Sequence, residues 1–363
     1  MKIAMIGSRG IDSDYSGVET SLREICPRLV RRGHEVWVFS EPQRSGVSSI
    51  DGVNIARVRS LHGKHTETLS RSGMATLMSV FDDFDVINFH AQGSGIFSPV
   101  CRLFRKRCVV TVHGLDWMRE KWSGLARYCL KAAEQVGARH ASRVTVVAKN
   151  LCGYFQQTYG LDAAFIPNGI APRPRLHRPD LLRPYGLAPG DYVLFASRLV
   201  PEKGCHELIQ AYNGIRTDKK LVIAGGGRYT ERYAEELKRM ADPDKVIFTG
   251  HLRGELLQEL FDSAYLFVLP SHLEGLSNAL LEALGYEKCV LVSDIPENLG
   301  VIDGHGYSFR VGDTGDLRQK LGALLESEER VRAAESRVRG FVRDTYDWDR
   351  IAEKYEQAYA SVL

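Results

Sequence analysis

The sequence predicts an α/β protein made of two doubly wound parallel-sheet domains in series. Three observations carry this. The chain has 363 residues, more than a single core ordinarily supports. Short apolar, β-rich runs alternate with helical stretches along nearly its whole length. A Pro-, Gly- and Arg-dense stretch near the middle, 167–191, breaks that alternation and reads as a linker. Hydrophobic residues make up 44% of the chain, so both halves can build a core.

In the first half the candidate strands are 2–6, 35–40, 86–90, 108–113 and 143–148. Their continuous apolar runs suit strands covered on both faces. Between the first two, Leu22, Ile25, Leu29 and Val30 form a helical stripe over 20–32 that Gly33 closes, which makes a βαβ unit. The second sheet takes its strands from 192–196, 220–224, 246–249, 266–269 and 289–293, with helical stretches such as 206–212 and 233–239 between them. From Trp348 onward Trp348, Ile351, Tyr355, Tyr359 and Val362 recur at helical spacing on a polar background. Such a helix must dock, and it is expected to cross back onto the first domain. The expected division is therefore 1–170 and 171–344, with 345–363 returning.

Composition narrows the function classes. No apolar run approaches the roughly 18–20 residues of a membrane span, and the opening MKIAMIGSRG has no signal-peptide pattern. The seven cysteines are scattered and never spaced as CxxC, against a disulfide framework or a zinc site. A cytoplasmic location is expected. The net charge of +3 divides into +7 for residues 1–170 and −4 for the rest. The basic clusters are Arg28, Arg31 and Arg32; Arg102, Arg105, Lys106 and Arg107; and Arg119, Lys121, Arg127 and Lys131. They suit an anionic membrane surface or a phosphorylated acceptor, or are simply a solvated face; no feature points to nucleic acid.

The richest motif is PSHLEGLSNALLEAL, 270–284, which follows the apolar strand YLFVL. It sits at the carboxyl end of a parallel strand, where α/β sheets hold ligands. Ser277 or Asn278 opens a helix whose free N–H groups and positive end suit a phosphate. Glu274 precedes that helix, and Glu282 lies eight positions further on, so the two carboxylates can grip opposite ends of one elongated polar ligand. No His or third carboxylate joins them at metal-ligand spacing. A second motif, SRLVPEKG, offers Arg198 and Lys203 to a diphosphate, against the plainer reading of two exposed loop cations. The loop Gly7-Ser8-Arg9-Gly10 through Gly17-Val18-Glu19 allows close backbone approach but is not GxGxxG, and Gly225-Gly226-Gly227 reads equally as a tight turn. His113 ends a strand, where it can bond a sugar hydroxyl, carry a proton or serve structure alone. His90 has the same geometry, and the pair His62 and His65 reads as an accident of a loop.

Glu274-Gly275 with Glu282, Arg198 and Lys203 in SRLVPEKG, Pro167-Asn168-Gly169, and Trp348 in the tail helix together resemble the family 4 glycosyltransferases (GT4) of the GT-B fold along the whole chain. The resemblance implies two Rossmann-like domains facing an interdomain cleft, with the acceptor on the N-terminal one and the nucleotide-sugar mainly on the C-terminal one. It implies a metal-independent, retaining hexosyltransferase that needs no cofactor and uses a UDP-, GDP- or dTDP-sugar as co-substrate. Glu282 matches the position that holds the ribose hydroxyls and Glu274 the position beside the donor sugar. Arg198 and Lys203 match the diphosphate clamp, with Gly225 nearby and the backbone N–H groups of Leu276 and Ser277 assisting. Gly17 matches a loop glycine near the phosphates, His113 the histidine near the transferred sugar, and His251 and Leu252 the surroundings of the base. The chain departs from the family at Ser16-Gly17, where paired glycines are frequent, at Gly226, where an acidic residue is common, and at Ala171, where Asp is usual. The opening also resembles a subgroup linked to rhamnosyl transfer in bacterial surface polysaccharide assembly.

The expected chemistry is stabilisation of a departing diphosphate after domain closure excludes water, with a glycan or lipid-linked sugar as acceptor. Rival readings are a nucleotide-sugar epimerase on the same fold, which needs a base and no acceptor, and a non-catalytic nucleotide- or glycan-binding module. A dehydrogenase would require the fingerprint loop that is missing.

Overall fold

The computed structural model describes residues 1–13, 17–42, 47–61, 67–118, 124–170, 175–226, 231–339 and 341–363. Ser16, His62, His65, Arg119, Lys121, Ala171 and Gly227 lie outside them. The chain divides into two compact units, Met1–Gly169 with Tyr346–Leu363, and Ile170–Thr345. Both are α/β and each is built on its own sheet.

The first unit holds β1 (Lys2–Ile6), β2 (Glu35–Ser40), β3 (Ser49–Ile50), β4 (Val53–Arg57), β5 (Val86–His90), β6 (Arg107–Val112), β7 (Arg143–Val146) and β8 (Ala164–Phe165). They pair in the order β3-β4-β2-β1-β5-β6-β7-β8, parallel throughout except for the short β3 edge. β1 lies between β2 and β5, so the winding reverses at the β1/β5 seam. The second unit holds β9 (Tyr192–Ala196), β10 (Lys220–Ala224), β11 (Val246–Gly250), β12 (Leu266–Leu269), β13 (Val290–Ser293) and β14 (Tyr307–Phe309). Their all-parallel order, β11-β10-β9-β12-β13-β14, reverses at the β9/β12 seam. Both seams are topological switch points, where connections run to opposite faces and leave a crevice at the strands' carboxyl ends.

Most strands follow the apolar runs, since β1, β5, β9 and β12 are buried almost end to end. The strands β3, β8 and β14 have only two or three residues, and β4, VNIAR, lacks a continuous apolar run, so none of the four stands out in the sequence. β6 stops at Val112, which places His113 in the turn just beyond it. The helix after β1 spans Gly17–Arg31 and buries Leu22, Ile25 and Leu29. Part of the stretch read as a linker is ordered, with a 3-10 turn over Pro179–Tyr185.

The tail helix Trp348–Ala360 packs on helix Gly17–Arg31 within the first unit. Asp347 caps it by accepting from the N–H groups of Asp349 and Arg350. Trp348, Ile351, Tyr355 and Tyr359 are all buried, as the helical stripe requires. Arg32 and His34 both meet Glu356, which holds that carboxylate below its usual range. Gly169 of the Pro-Asn-Gly motif lies against the start of this helix: a Cβ there would stand 2.6 Å from Trp348 Cδ2 and 2.7 Å from the Tyr346 carbonyl. Its neighbour Asn168 is buried and accepts from the Ser21 hydroxyl at 2.7 Å. The motif therefore joins two helices of one unit. Gly169→Ala should destabilise this unit by about 1–3 kcal/mol, the usual cost of overpacking. Denaturant titration checks this, and an unchanged midpoint would contradict it.

Candidate active site

In the second unit the loops after β9, β10, β11 and β12 are laced together at the switch point. The tightest contacts are made by glycines. A Cβ on Gly204, whose φ is +64°, would fall 2.1 Å from the Pro270 carbonyl oxygen, and one on Gly225 would fall 1.9 Å from that of Ser197. No other residue fits either place. Backbone bonds continue the lacing, from Leu199 N–H to the Gly226 carbonyl at 3.2 Å and from His272 N–H to the Glu202 carbonyl at 2.9 Å.

This backbone brings Lys203 and Glu274 together. Lys203 ends a 3-10 turn, Pro201–Lys203, that Gly204 closes, and its Nζ lies 2.5 Å from Glu274 Oε1. Both side chains are nearly buried, at 10% and 7% exposure. The Ser271 hydroxyl donates to the same carboxylate oxygen at 2.7 Å. Ser271 is itself supported from below: its carbonyl accepts from the Ser293 hydroxyl, which in turn accepts from the Asn298 amide at 3.0 Å. Lys203 is thus no exposed loop cation. Arg198 is one: its side chain is 51% exposed and lies 3.6 Å from Glu202.

Gly275 and Leu276 lead from Glu274 into helix Asn278–Gly285. Ser277 is its cap and accepts from the Leu280 N–H at 3.3 Å. Glu282 lies in that helix, half-buried. His251 and Leu252 follow β11, with His251 exposed and accepting from Arg253 Nε at 3.0 Å. Gly226 stands beside His251, where a Cβ would come 3.3 Å from the His251 Cβ. A larger residue at 226 would crowd His251.

The remaining two expected residues belong to the first unit, at the carboxyl ends of its own sheet. Gly17 is exposed at the start of helix Gly17–Arg31. The loop before it is pinned by Glu19, which is buried and accepts from the Arg9 N–H at 2.9 Å. His113 is half-buried and its Nε2 lies 3.1 Å from Nδ1 of His90. His90 is fully buried, and burial pushes its imidazole well below the usual range, with His113 adding to the effect. Gly7, with φ of +112°, presses on the His90 carbonyl, 2.1 Å from where its Cβ would be.

Sequence reasoning passed over Ser271, Glu207 and Asn88. Ser271 and Glu207 hold other loop residues, Glu207 through His272 Nε2 at 2.9 Å, and support of that kind leaves no spacing pattern to read. No group of three or more His, Cys, Asp or Glu able to hold a metal occurs among the described residues. The different settings of the two cations separate their expected losses. Lys203→Ala strands a buried carboxylate and should cost about 3–5 kcal/mol of stability. Arg198→Ala should leave the melting temperature nearly unchanged. Thermal melts of both variants check this, and equal losses would refute the assignment of the ion pair.

Residues 15–173 match the Glycosyltransferase Family 4 domain and residues 184–340 the Glycosyl transferases group 1 domain. The chain is 26% identical over 387 aligned residues to an uncharacterized glycosyltransferase of Methanocaldococcus jannaschii, covering 99% of this chain and 98% of the relative. It is 28% identical, over 92% of this chain and 91% of the relative, to the GDP-mannose-dependent alpha-(1-6)-phosphatidylinositol monomannoside mannosyltransferase of Mycolicibacterium smegmatis. In fold it is similar to Anabaena HepE, solved in complex with UDP-glucose, with a TM-score of 0.83 at 19% identity over 99% of this chain and all of that one. With these two domain matches spanning most of its length, the chain belongs to the family 4 glycosyltransferases and has the GT-B fold.

Proposed function

We propose that this glycosyltransferase moves a hexosyl group from a nucleotide-diphosphate sugar to a glycan or lipid-linked acceptor of a bacterial surface polysaccharide, with retention and without a metal. The observation that carries the reading is the buried Lys203–Glu274 pair at the β9/β12 switch point. An ammonium already fixed in the crevice costs little reorganisation when charge develops on a diphosphate. Arg198 supplies a second, exposed cation, and the Ser277-capped helix end supplies oriented N–H groups. The leaving group is thereby neutralised by side chains, and its departing phosphate takes the acceptor's proton. Glu282 holds the ribose hydroxyls and His251 and Leu252 flank the base. Support for the donor class comes from the GDP-mannose named for the mycobacterial relative and the UDP-glucose bound by HepE. A thermal-shift panel of UDP-, GDP- and dTDP-sugars tests the reading. One class should raise stability by about 2.7 kcal/mol at a hundredfold excess over its Kd, and Arg198→Ala should abolish the shift. No response to any of them would remove the donor site.

We also propose that the first unit rests on an anionic membrane surface, where a lipid-linked acceptor would be found. Helix Glu67–Val80 supports this because its polarity is inverted. Arg71, Ser72, Thr76 and Ser79 face inward and are buried, while Leu69, Met74, Leu77, Met78 and the adjoining Phe81 are exposed. The inward hydroxyls of Thr76 and Ser79 are satisfied by carbonyls four residues back, at 2.7 and 2.8 Å. Arg71 lies near Glu41 and Glu67, at 3.7 and 3.5 Å. The Phe81 ring meets Phe104 edge-on at 5.0 Å, which joins the helix to the exposed run Arg102-Leu103-Phe104-Arg105. Apolar side chains rimmed by arginines suit lipid better than water, and the acidic neighbours Asp82 and Asp83 are paired to Lys2. No described helix is long and apolar enough to cross a membrane. The protein should sediment with phosphatidylglycerol vesicles at low salt and release as salt rises. The triple variant Phe81→Ser, Leu103→Ser, Phe104→Ser should bind at least about tenfold more weakly. Equal binding to neutral vesicles, or an unaffected variant, would discard the surface.

A further inference from the structure

A line of polar side chains crosses the sheet of the first unit and ends at His113. The Thr145 hydroxyl on β7 donates to Thr111 on β6 at 2.9 Å, and Thr111 donates to Asn88 Oδ1 on β5 at 3.0 Å. The Asn88 amide nitrogen bonds the Tyr359 phenol of the tail helix at 2.8 Å and His90 Nε2 at 3.1 Å. His90 Nδ1 then meets His113 Nε2 at 3.1 Å. Thr145, Thr111, Asn88 and His90 are all at or below 1% exposure, so water does not compete for the bonds among these four. The backbone is clamped as well: the His90 carbonyl accepts from the Ser94 hydroxyl at 2.8 Å and packs against Gly7, and Ala91 turns away with φ of +74°.

The direction of the line determines where each proton sits. An amide nitrogen only donates, so His90 Nε2 must accept. A neutral His90 then carries its hydrogen on Nδ1 and donates it to His113 Nε2. That nitrogen, already an acceptor, leaves the His113 hydrogen on Nδ1. We propose that His90 is a positioning residue that fixes His113 in its Nδ1–H tautomer, with Asn88 and Thr111 holding His90 in turn. In that tautomer the Nδ1–H of His113 is a hydrogen-bond donor. His113 does not act as a base through Nε2, because a proton arriving there would confront the one on His90 Nδ1. That this donor meets a sugar hydroxyl rests on the donor reading above; the tautomer itself does not.

Nitrogen-15 correlation spectra of the imidazole rings in the full chain test this directly. The wild type should show His113 protonated at Nδ1 and bare at Nε2, with no averaging between the two forms. A His113 protonated at Nε2, or averaged, overturns the proposal. His90→Phe, of similar bulk, should lose the single-tautomer pattern, and its retention in the folded variant would equally overturn the role of His90. Should that variant fail to fold, the wild-type spectrum alone still decides. Titration with UDP-glucose and GDP-mannose separates the two readings: an Nδ1–H ring that neither sugar perturbs upholds the tautomer and counts against His113 as a donor-sugar contact.

Discussion

A buried lysine and a buried glutamate, 2.5 Å apart in the loops that follow two neighbouring parallel strands, are the feature on which the chemistry proposed for the second unit depends. Taking both charges out of water is costly, and the fold tolerates it because each partner is placed with little freedom to move. Gly204 lets the lysine's turn touch the Pro270 carbonyl, and Ser271 supplies the carboxylate with a further hydrogen bond. The pair stands where the winding of the sheet reverses, so the crevice and the charge coincide. Geometry of that kind is stabilised in advance of any ligand, which is what leaving-group catalysis requires.

The first unit meets the same topological situation with different chemistry. Its seam between β1 and β5 is lined by the Gly7 loop and a pair of imidazoles, with an amide and two threonines in line behind them. A charged pair would present attraction or repulsion to an incoming group. A neutral hydrogen-bonded line instead presents a donor of defined direction. Buried polar networks of this kind specify geometry rather than charge.

Elsewhere the first unit departs from the usual division of polarity. Helix Glu67–Val80 buries an arginine and three hydroxyl side chains and exposes leucine, methionine and, at its end, phenylalanine. The Thr76 and Ser79 hydroxyls are satisfied by carbonyls one turn back, and Arg71 lies within ion-pair distance of Glu41 and Glu67, while the Ser72 hydroxyl and the Arg71 terminal nitrogens have no hydrogen-bond partner among the described residues. Desolvation by burial still lowers the affinity of Arg71 for its proton, with the two glutamates opposing that trend. Among the described residues of the second unit the exposed large hydrophobics are Leu299 and Val311, so the stripe has no counterpart among them.

Much of this was legible in the chain itself. Apolar runs separated by helical stripes determined two parallel sheets, because a strand covered on both faces has few ways to be written. Motifs at strand ends marked Arg198, Lys203 and Glu274 as candidate ligand contacts of the second sheet, because parallel strands gather their carboxyl ends on one edge. Periodicity alone marked Trp348, Ile351, Tyr355 and Tyr359 as one docking face. Strands such as β4 and β14 escaped notice, since VNIAR and YSF interrupt their apolar residues with polar ones and form no continuous apolar run. Only the tertiary structure decided that Lys203 is a buried partner of Glu274 while Arg198 is exposed, although the two lie in one loop. Only it decided that His90 and His113 form a pair backed by Asn88 and Thr111. The reason is physical: period and composition are properties of neighbours along the chain, whereas burial and hydrogen-bond partnership arise when strands distant in sequence are brought side by side.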